Sequence, residues 1–284
     1  MLAAAAMALA VAAPAHAAGG APKAYRFTST ATNTSTCFLT LDHPALNGKP
    51  TLKLLVTQYF NGAYNPHPVG VGYNYSANKW QIINEDQENI PLNAAFNVMV
   101  APTAKLVTIS PQNCHGLYAF FPLGKNNPSA VLQLTHVLNP IRGLDGVLQP
   151  KNVSLFYYGA TPTAHPFTNN WTLYYADGTS HIATGYNIAD FSKLKVANQL
   201  VSFRHQARDA NTTALETTIT NPLTDAKPNA ALFIQHVFTA AAAANVDEVL
   251  GVRYADGKWR ILTEDQTDKL APVDFNVTVL PLSE

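Results

Sequence analysis

Histidines and carboxylates are the side chains of this sequence that could carry chemistry. The 284 residues contain no G-x-S-x-G, no H-E-x-x-H, no glycine-rich phosphate loop and no C-x-x-C. His136 and His236 lie at matching places on the apolar faces of two predicted strands, and Gln58 takes that place in a third. Glutamine cannot shuttle a proton, but like a neutral imidazole it can satisfy an internal hydrogen bond. The pattern therefore favours a structural role for these residues and indicates no catalytic residue.

Two groups of residues have the chemistry of metal ligands. Asp42 and His43 could meet His67, but no fourth ligand is evident, so a solvated loop is favoured. The run 84–89 offers several hard oxygen atoms of the kind that calcium prefers, and 264–266 repeats part of it. The D-x-[DN]-x-[DN]-G spacing of a calcium loop is not met, which favours a turn capped by a carboxylate. We expect no metal and no cofactor, and keep a calcium-dependent adhesive module as an alternative.

Acidic and aromatic residues could also act on sugars or bind them. Glu85 and Asp86 are adjacent, so on a strand their side chains point to opposite faces and do not form the facing pair that glycoside hydrolysis needs. Exposed tyrosines could form a stacking platform for sugars, although tyrosines in β proteins more often form cross-strand pairs. The tyrosines concerned are Tyr59, Tyr73, Tyr157, Tyr158, Tyr174 and Tyr175.

A threefold repeat accounts for most of the recurrent residues. The segment 79–100 returns as 258–279 with ten of 22 positions identical, and a more divergent copy lies between them. Each copy has a proline before an apolar strand, then a tryptophan, an aspartate six residues later, and an aromatic residue before an asparagine. These marks are Pro50, Pro128 and Pro228; Trp80, Trp171 and Trp259; Asp86, Asp177 and Asp265; and Phe96, Tyr186 and Phe275. We expect the tryptophans to be buried in equivalent places and the aspartates to start turns.

The repeat predicts an all-β protein of three tandem homologous units. Apolar and polar residues alternate with a period of two around each mark, as they do in half-buried strands. Five or six short strands per unit indicate a small antiparallel β-sandwich or barrel. The units are 24–102, 103–195 and 196–284, the second being divergent. They could be separate beads, but no linker rich in glycine, serine or charge divides them, which favours packing around a pseudo-threefold axis.

The N-terminal segment indicates export. Residues 1–17 form an apolar run that ends in Ala-His-Ala, the small-x-small pattern of a signal-peptidase site. We predict a signal peptide over 1–17, followed by flexible residues to about residue 23. The alternative is a membrane anchor, for which the run is short. No later segment is apolar for long enough to span a membrane, so the mature protein is predicted to be periplasmic, secreted or at the cell surface.

Composition excludes one class of partner and leaves the cysteines open. Charged residues make up 13% of the chain and the formal net charge is zero. Without a cluster of Lys and Arg, the electrostatic attraction that drives nucleic-acid binding is absent. Cys37 and Cys114 could form a disulfide in an oxidising compartment, or could be two separate thiols.

Several short phrases recur in the first and third units. The first unit has Gly70-Val71-x-Tyr73, Lys79-Trp80-x-Ile82, Glu85-Asp86-Gln87 and Phe96-Asn97-Val98, and the third repeats them at 251–254, 258–259, 264–266 and 275–277. The second unit departs, with Val153-Ser154-Leu155-Phe156 where Gly-Val is expected. This combination resembles a bacterial family of exported, β-rich tandem repeats of unknown function. The resemblance implies the repeat fold and no activity.

These observations lead us to expect a non-enzymatic, exported repeat protein that binds a protein or a glycan. Loops 59–69, 139–170 and 238–250 differ among the units while the scaffold repeats, so we expect them to carry specificity. One rival hypothesis is a periplasmic or secreted glycan-active hydrolase, which would need a deep cleft with two acids or a His–acid pair. The other is the calcium-dependent adhesive module.

Overall fold

The computed structural model describes most of the chain. The described residues are 20–140 (without the His115 side chain), 146–159, 168–192, 200–213, 215–239, 242, 246–266 and 270–283. They form 21 strands and a single 3-10 turn at Pro111–Asn113, so the prediction of an all-β fold is confirmed. The predicted signal peptide 1–17 lies outside the described residues, as do 141–145, 160–167, 240–241 and 243–245 of the predicted specificity loops. No helix among the described residues has the length and apolarity of a membrane span.

The strands repeat as three sets of seven. The first unit contains β1 (Lys23–Thr28), β2 (Thr34–Ser35), β3 (Phe38–Leu41), β4 (Leu54–Tyr59), β5 (Val69–Asn74), β6 (Lys79–Asn84) and β7 (Ala95–Val100). The second contains β8 (Lys105–Ile109), β9 (Cys114–His115), β10 (Tyr118–Phe121), β11 (Leu132–Val137), β12 (Val153–Tyr158), β13 (Asn170–Tyr175) and β14 (Thr184–Asp190). The third contains β15 (Val201–Ala207), β16 (Thr212–Thr213), β17 (Glu216–Ile219), β18 (Ala230–Phe238), β19 (Leu250–Ala255), β20 (Lys258–Thr263) and β21 (Val273–Pro281).

Each unit folds as a sandwich whose two layers belong to different sheets. In the first unit, β1, β7 and β4 form one layer, and β2, β3, β6 and β5 form the other. Apolar side chains at alternating strand positions fill the space between the layers, among them Leu54, Val71, Trp80 and Phe96. Burying each large side chain of this kind contributes about 1.5–3 kcal/mol, so the alternation in the sequence fixes which strand face turns inward.

Each of the three seven-stranded sheets is shared by two units. The strand orders are β1-β7-β4-β19-β20-β17-β16, β15-β21-β18-β12-β13-β10-β9 and β2-β3-β6-β5-β11-β14-β8. Pairing is antiparallel within a unit, whereas the junctions between units are the parallel pairs β5·β11, β12·β18 and β19·β4. At each junction the fifth strand of one unit meets the fourth strand of another. The three junctions close a cycle, so the units pack around a pseudo-threefold axis and are not separate beads.

Side chains from all three units meet at this axis. A central apolar cluster combines Leu55 and Met99 of the first unit, Phe191 of the second, and Phe233 and Leu280 of the third. Around it, the buried asparagine of each seventh strand donates its amide N–H to a carbonyl in the fourth strand of a neighbouring unit. The pairs are Asn97 to Leu232, Asn187 to Leu54 and Asn276 to Leu132, at 3.1, 3.1 and 2.9 Å. This cycle explains why an asparagine recurs within an otherwise apolar strand.

The tryptophans occupy equivalent places, and their hydrogen bonds explain the repeated prolines. Each indole is buried and donates its Nε1–H to the carbonyl oxygen of the residue immediately before the marked proline. Trp80 donates to Lys49, Trp171 to Asn127 and Trp259 to Lys227, at 3.0, 2.9 and 3.0 Å. A buried indole N–H needs such a partner, so the proline turn and the tryptophan strand are one structural unit.

Two of the marked aspartates start turns. Asp86 Oδ1 accepts the backbone N–H of Glu88 at 3.2 Å, and Asp177 Oδ1 accepts that of Thr179 at 2.9 Å. The cysteines are both free thiols: Cys37 lies between β2 and β3 in one sheet, and Cys114 is in β9 of another. Of the two alternatives for the cysteines, the structure therefore has the separate thiols.

Candidate functional site

The candidate site is a cavity of about 130 Å³ on the pseudo-threefold axis. We call it the axial cavity. Corresponding residues of the three fourth strands line it, and so do residues just before or at the start of the three fifth strands. The fourth strands contribute Thr57 and Gln58, Thr135 and His136, and Gln235 and His236, all of which are buried. The repeated positions singled out in the sequence are thus brought together by the closure of the ring.

An aromatic residue of the seventh strand backs each of the three positions. In the antiparallel registers Gln58 faces Phe96, His136 faces Tyr186 and His236 faces Phe275. These aromatic residues are fully buried. The marks at Phe96, Tyr186 and Phe275 therefore lie beside the polar side chains on the same strand faces, and Tyr186 also lines the cavity.

At the junction between the first and second units, His136 is held between two partners. Its Nδ1 lies 2.6 Å from Glu85 Oε1, and its Nε2 lies 2.5 Å from Thr184 Oγ1. The second oxygen of Glu85, Oε2, accepts the backbone N–H of Gln149 at 2.8 Å. Both members of the pair are almost fully buried, His136 at 4% and Glu85 at 1% exposure of the side chain. The His136 imidazole and the carboxylate therefore connect the two units in a site that water does not reach freely.

At the junction between the second and third units, a serine replaces the carboxylate. His236 Nδ1 lies 2.5 Å from Ser154 Oγ, and the residue that corresponds to Glu85 is Ala176. The His236 Nε2 atom is buried and has no hydrogen-bond partner among the described residues. Burial lowers the pKa of His236 to about 4, so its imidazole is neutral at physiological pH.

At the junction between the third and first units, the carboxyl group of Glu264 has no imidazole beside it. Glu264 corresponds to Glu85, and its Oε2 accepts the backbone N–H of Asn65 at 3.0 Å. Gln58, in place of the histidine, instead donates its Nε2–H to the carbonyl of His67 at 3.1 Å. The Oε1 atom of Glu264 is left without a hydrogen-bond partner in the described structure. Burial raises the pKa of Glu264 to about 7 because no cation compensates for the lost hydration.

Glycine is required wherever a glutamate occupies the junction. A Cβ atom built on Gly70 would lie 1.7 Å from Glu85 Oε1, and one built on Gly251 would lie 1.8 Å from Glu264 Oε1. The second unit has alanine in place of the glutamate and serine in place of the glycine. The Gly-Glu and Ser-Ala combinations thus fill the same space at a junction in two different ways. This explains why the second unit differs from the others at both positions together.

The Thr184–His136–Glu85 arrangement has the order of a hydroxyl nucleophile, a base and an orienting acid. The His–acid pair that the hydrolase hypothesis requires is therefore present. However, Thr184 and Glu85 do not line the axial cavity, and Thr184 is buried at 7% exposure. A substrate in the cavity could not reach the hydroxyl oxygen, so the arrangement links β14 to the junction and does not offer an attacking group.

The half-exposed residues just before the three fifth strands differ in chemistry, and those of the second and third units line the axial cavity. The corresponding positions are His67, Lys151 and Glu248, two residues before the start of each fifth strand. His67 Nδ1 lies 2.6 Å from Asp86 Oδ2, and Lys151 forms an ion pair with Asp177. The marked aspartates therefore bond an imidazole in the first unit and a lysine ammonium group in the second, while the third unit has an acidic side chain at this position.

The two groups of residues with the chemistry of metal ligands are dispersed among other partners. Asp42 pairs with Lys79, and His43 Nδ1 accepts the backbone N–H of Ala45, whereas His67 pairs with Asp86. In the run 84–89, Asn84 exchanges hydrogen bonds with the amide of Asn65. Among the described residues, no three His, Cys, Asp or Glu side chains are grouped so that they could hold a metal ion.

The tyrosines divide between the core and one sheet face. Tyr73 and Tyr175 are buried, and Tyr59 and Tyr157 pack against the indoles of Trp259 and Trp171. Tyr158 and Tyr174 lie on the outer face of their sheet, in a half-buried cluster with Tyr118, Phe156 and Phe238. The corresponding face of the third unit carries the ion pairs of Glu216 with Arg253 and Arg260. The outer faces of the second and third units therefore share no chemistry, whereas all three units contribute residues to the axial cavity.

Sequence reasoning singled out the two histidines and Gln58 but missed Glu85 and Ser154, the partners of the histidines, and Glu264, the counterpart of Glu85. A signal for these partners was present. The Gly-Val phrase and the Glu-Asp phrase occur together in two units and are absent together from the other. Two features that appear and disappear as a pair indicate contact, even though the paired residues lie on different strands.

Comparison with known proteins agrees with a repeated domain. No curated protein matches the chain. The pattern of one family, described as a domain of unknown function (DUF7452), matches residues 5–100, 70–178 and 164–279. The three matches together span most of the sequence, in line with the three sets of seven strands. The chain therefore belongs to the DUF7452 family and carries its domain pattern three times.

Proposed function

We propose that the protein is an exported, non-enzymatic binding module that recognises a protein or glycan partner around the opening of the axial cavity. The observation that carries the proposal is the convergence of three dissimilar loops on one cavity. These are the loops between the fourth and fifth strands, residues 60–68, 138–152 and 239–249, which we call the 4–5 loops. Their last residues line the cavity in all three units, among them Pro68, Lys151 and Val249.

The first 4–5 loop is held rigidly, which favours specific recognition. Asn65 is buried and hydrogen-bonds both Glu264 and Asn84, while Phe60 and Tyr64 pack with ring centroids 4.4 Å apart. The tip at Asn61 and Gly62 remains exposed. A loop whose base is fixed by buried hydrogen bonds loses little conformational entropy when a partner binds its tip.

The charge arrangement favours a single asymmetric partner. A threefold scaffold with identical loops would present three equal surfaces. Here the second unit places Lys151 and the third Glu248 at the opening, whereas the first unit contributes Pro68. Electrostatic complementarity fixes orientation more than it adds affinity. The opening is therefore suited to hold a partner in one orientation.

Two further observations support the non-enzymatic and exported parts of the proposal. The buried hydroxyl of Thr184, the group closest to an activated nucleophile, does not line the axial cavity. The apolar segment 1–17 and its Ala-His-Ala ending are typical of a cleaved export signal. Mass spectrometry of the protein recovered outside the cytoplasm tests the export signal: we expect a chain that begins at Ala18, and an intact N-terminus would contradict it.

Binding is tested with a glycan array and a library of displayed extracellular protein domains. Val147 is 40% exposed in the second 4–5 loop, and Leu92 is 56% exposed outside the 4–5 loops. We expect Val147→Asp to weaken binding of a partner at least tenfold and the matched control Leu92→Asp to leave it unchanged. If a partner bound the Val147→Asp, Leu92→Asp and Asn61→Lys variants with equal affinity, the proposed role of these loops would be wrong.

The same samples separate the proposal from its rivals. Turnover of a polysaccharide or ester by the wild-type protein would favour a hydrolase and contradict a purely binding role. A rise in melting temperature on adding calcium, reversed by chelator, would instead favour the adhesive module.

A further inference from the structure

At the junction between the third and first units, an arginine of the first strand contacts the side of the neighbouring unit. Arg26 donates from Nε to Asn97 Oδ1 and from Nη2 to the carbonyl of Ala230, both at 2.9 Å. Its guanidinium carbon lies 3.6 Å from the ring centroid of Tyr59 and 6.0 Å from that of Trp259. A marked tryptophan, the asparagine of a seventh strand and the carbonyl two residues after a marked proline therefore hold one planar cation.

Arg204 repeats this arrangement at the junction between the second and third units. It donates from Nε to Asn276 Oδ1 at 2.9 Å and from Nη2 to the carbonyl of Ala130 at 3.4 Å. Its guanidinium carbon lies 5.9 Å from the ring centroid of Trp171. Among the described residues neither arginine is part of a salt bridge, so neutral oxygen atoms and aromatic rings are sufficient to hold the cation.

At the junction between the first and second units, Leu106 takes the place of the arginine, and a cavity lies beside it. The strand registers set Leu106 opposite Asn187, just as Arg26 is opposite Asn97. We call this space the Leu106 cavity. It is lined by Leu106 and by the counterparts of all four groups that contact Arg26, namely Asn187, Leu52, Val137 and Trp80. The cavity is therefore the space that a guanidinium group fills at the other two junctions.

The polar groups of the Leu106 cavity lack the donor that their counterparts have. Asn187 donates its Nδ2–H to the carbonyl of Leu54 at 3.1 Å, but its Oδ1 accepts no hydrogen bond from any residue that the structure describes. The same is true of the carbonyl oxygen of Leu52. The hydroxyl of Tyr73, which lines the cavity and is 3% exposed, is also unpaired in the described part of the chain. Buried polar groups normally have partners, so these oxygen atoms require a donor from outside.

The size and rim of the Leu106 cavity limit what can enter it. The enclosed part measures about 30 Å³, which is room for about two water molecules. The rim includes Pro50, Lys53, Tyr75 and Pro140, which are exposed or half-exposed. The cavity therefore takes the flat end group of a longer side chain, and the rest of the ligand lies outside the rim.

From these observations we infer that the Leu106 cavity receives the guanidinium group of an arginine side chain from a protein partner. Its N–H groups donate to Asn187 Oδ1 and to the carbonyl of Leu52, and its plane contacts the indole of Trp80, as Arg26 contacts Trp259. The Leu106 cavity shares no lining residue with the axial cavity. The inference therefore goes beyond the proposed function and does not depend on it.

Lys53 is the one charged residue among the described residues that line the Leu106 cavity, and its charge opposes a second cation. Its side chain is half-exposed, with Nζ 3.4 Å from the carbonyl of Thr51, so solvent screens the charge. The counterparts of Lys53 at the two junctions with an arginine are the uncharged Val131 and Ala231. We expect Lys53→Ala to tighten arginine binding at least threefold at low ionic strength, and salt at about 1 M to remove the difference.

The inference is tested by titrating the full chain with capped tripeptides, followed by the indole N–H resonances of the three tryptophans. The probes are acetyl-Gly-Arg-Gly-amide and the same peptide with citrulline or lysine in the central position. We expect the arginine peptide to bind saturably and to shift the Trp80 resonance. Citrulline has the same shape without the charge and lysine has the charge without the planar fork, so each should bind at least fivefold more weakly.

Matched variants locate the binding. Leu106→Arg supplies the guanidinium group from within the chain, as Arg26 does, and should abolish binding of the arginine peptide. Leu106→Met is the control, because it keeps a similar volume without a donor and should retain binding. If Leu106→Arg fails to fold, the half-exposed substitution Lys53→Ala remains as the test.

Several results would overturn the inference. These are equal binding of the arginine and citrulline peptides, unchanged binding in Leu106→Arg, no tightening in Lys53→Ala, or no saturable binding because the cavity holds only water. Free arginine that binds at least tenfold more tightly than the tripeptide would assign the cavity to a small guanidino compound and contradict the protein partner. None of these results bears on the 4–5 loops, whose role Val147→Asp tests separately.

Discussion

His136 Nδ1 lies 2.6 Å from Glu85 Oε1, and the two residues belong to different repeat units. The first unit supplies the carboxylate at the end of β6, and the second supplies the imidazole from β11. Because Glu85 also accepts the backbone N–H of Gln149, a single buried side chain connects a strand and a loop of its neighbour. The other two junctions vary this arrangement, so the three can be tested against one another.

Removing Glu85 is expected to destabilise the protein much more than removing its neighbour. Glu85→Ala leaves His136 Nδ1 and the N–H of Gln149 unpaired in a buried site, and we expect the free energy of unfolding to fall by about 2–5 kcal/mol. Asp86→Ala is the adjacent control, because its partner His67 is half-exposed, and it should cost about 0–1 kcal/mol. Chemical denaturation measures both. Equal losses would contradict the structural role of the buried pair.

The second junction can be rebuilt in the form of the first. Ala176→Glu alone would drive a carboxylate into Ser154, and Ser154→Gly alone would remove the partner of His236, so each single change should cost about 1–3 kcal/mol. Together they recreate the Gly-Glu combination opposite a histidine. We expect the double variant to be more stable than the sum of the single effects by at least about 1 kcal/mol. A double-mutant cycle measured by denaturation gives this coupling, and strict additivity would contradict the proposed equivalence.

Glu264 should make stability depend on pH. Its pKa is raised from 4.5 to about 7 in the folded protein, so between these values the folded state binds more protons than the unfolded state. Stability from this residue therefore falls as pH rises from 4.5 to 7, and the full penalty remains above 7. Glu264→Gln removes the charge. We expect the free energy of unfolding of this variant to exceed that of the wild type by about 3 kcal/mol at pH 8 and to differ little from it at pH 4. A difference that does not change with pH would contradict the raised pKa.

Supplying the absent imidazole should remove this pH dependence. Gln58→His places at the third junction the residue that faces Glu85 at the first, next to the unpaired Oε1 of Glu264. A new hydrogen bond to the carboxylate favours its charged form and lowers its pKa. We expect Gln58→His to stabilise the protein at pH 8 by about 1–3 kcal/mol, with no gain in the Glu264→Gln background. A gain that persists in that background would assign the effect to another contact.

The sequence predicts the strand pattern and the buried residues of each unit well because the same pattern occurs three times. Period-two alternation around Trp80, Trp171 and Trp259 follows from burial on one strand face, and burial is a property of the local sequence. The marked prolines and tryptophans recur in the same order because in each unit a hydrogen bond joins the tryptophan to the residue before the proline, across 31, 44 and 32 positions of the chain. The number of units and the buried faces of their longer strands can therefore be predicted without coordinates. The expected five or six strands per unit fall short of the observed seven, which include the two-residue strands β2, β9 and β16.

The strand pairs and side-chain contacts between units cannot be predicted in this way. His136 and Glu85 are 51 residues apart, and a strand pattern determines which face is buried but not which strand lies alongside it. The parallel pairs β5·β11, β12·β18 and β19·β4 arise only when the ring closes. The prediction of antiparallel pairing is confirmed within each unit. It did not include the parallel pairs between units, because local alternation is the same for either direction of pairing.

The sharing of every sheet between two units also sets the copy number of the repeat. In an open solenoid, modules are gained or lost at the ends with little effect on the others. Here a fourth copy would find the fourth and fifth strands of every unit already paired with a neighbour. Loss of one copy would expose one such edge on each survivor to aggregation. A polypeptide that carried a single copy could form the same architecture only as a homotrimer. In that trimer the fourth and fifth strands of each chain would pair with strands of the two identical chains.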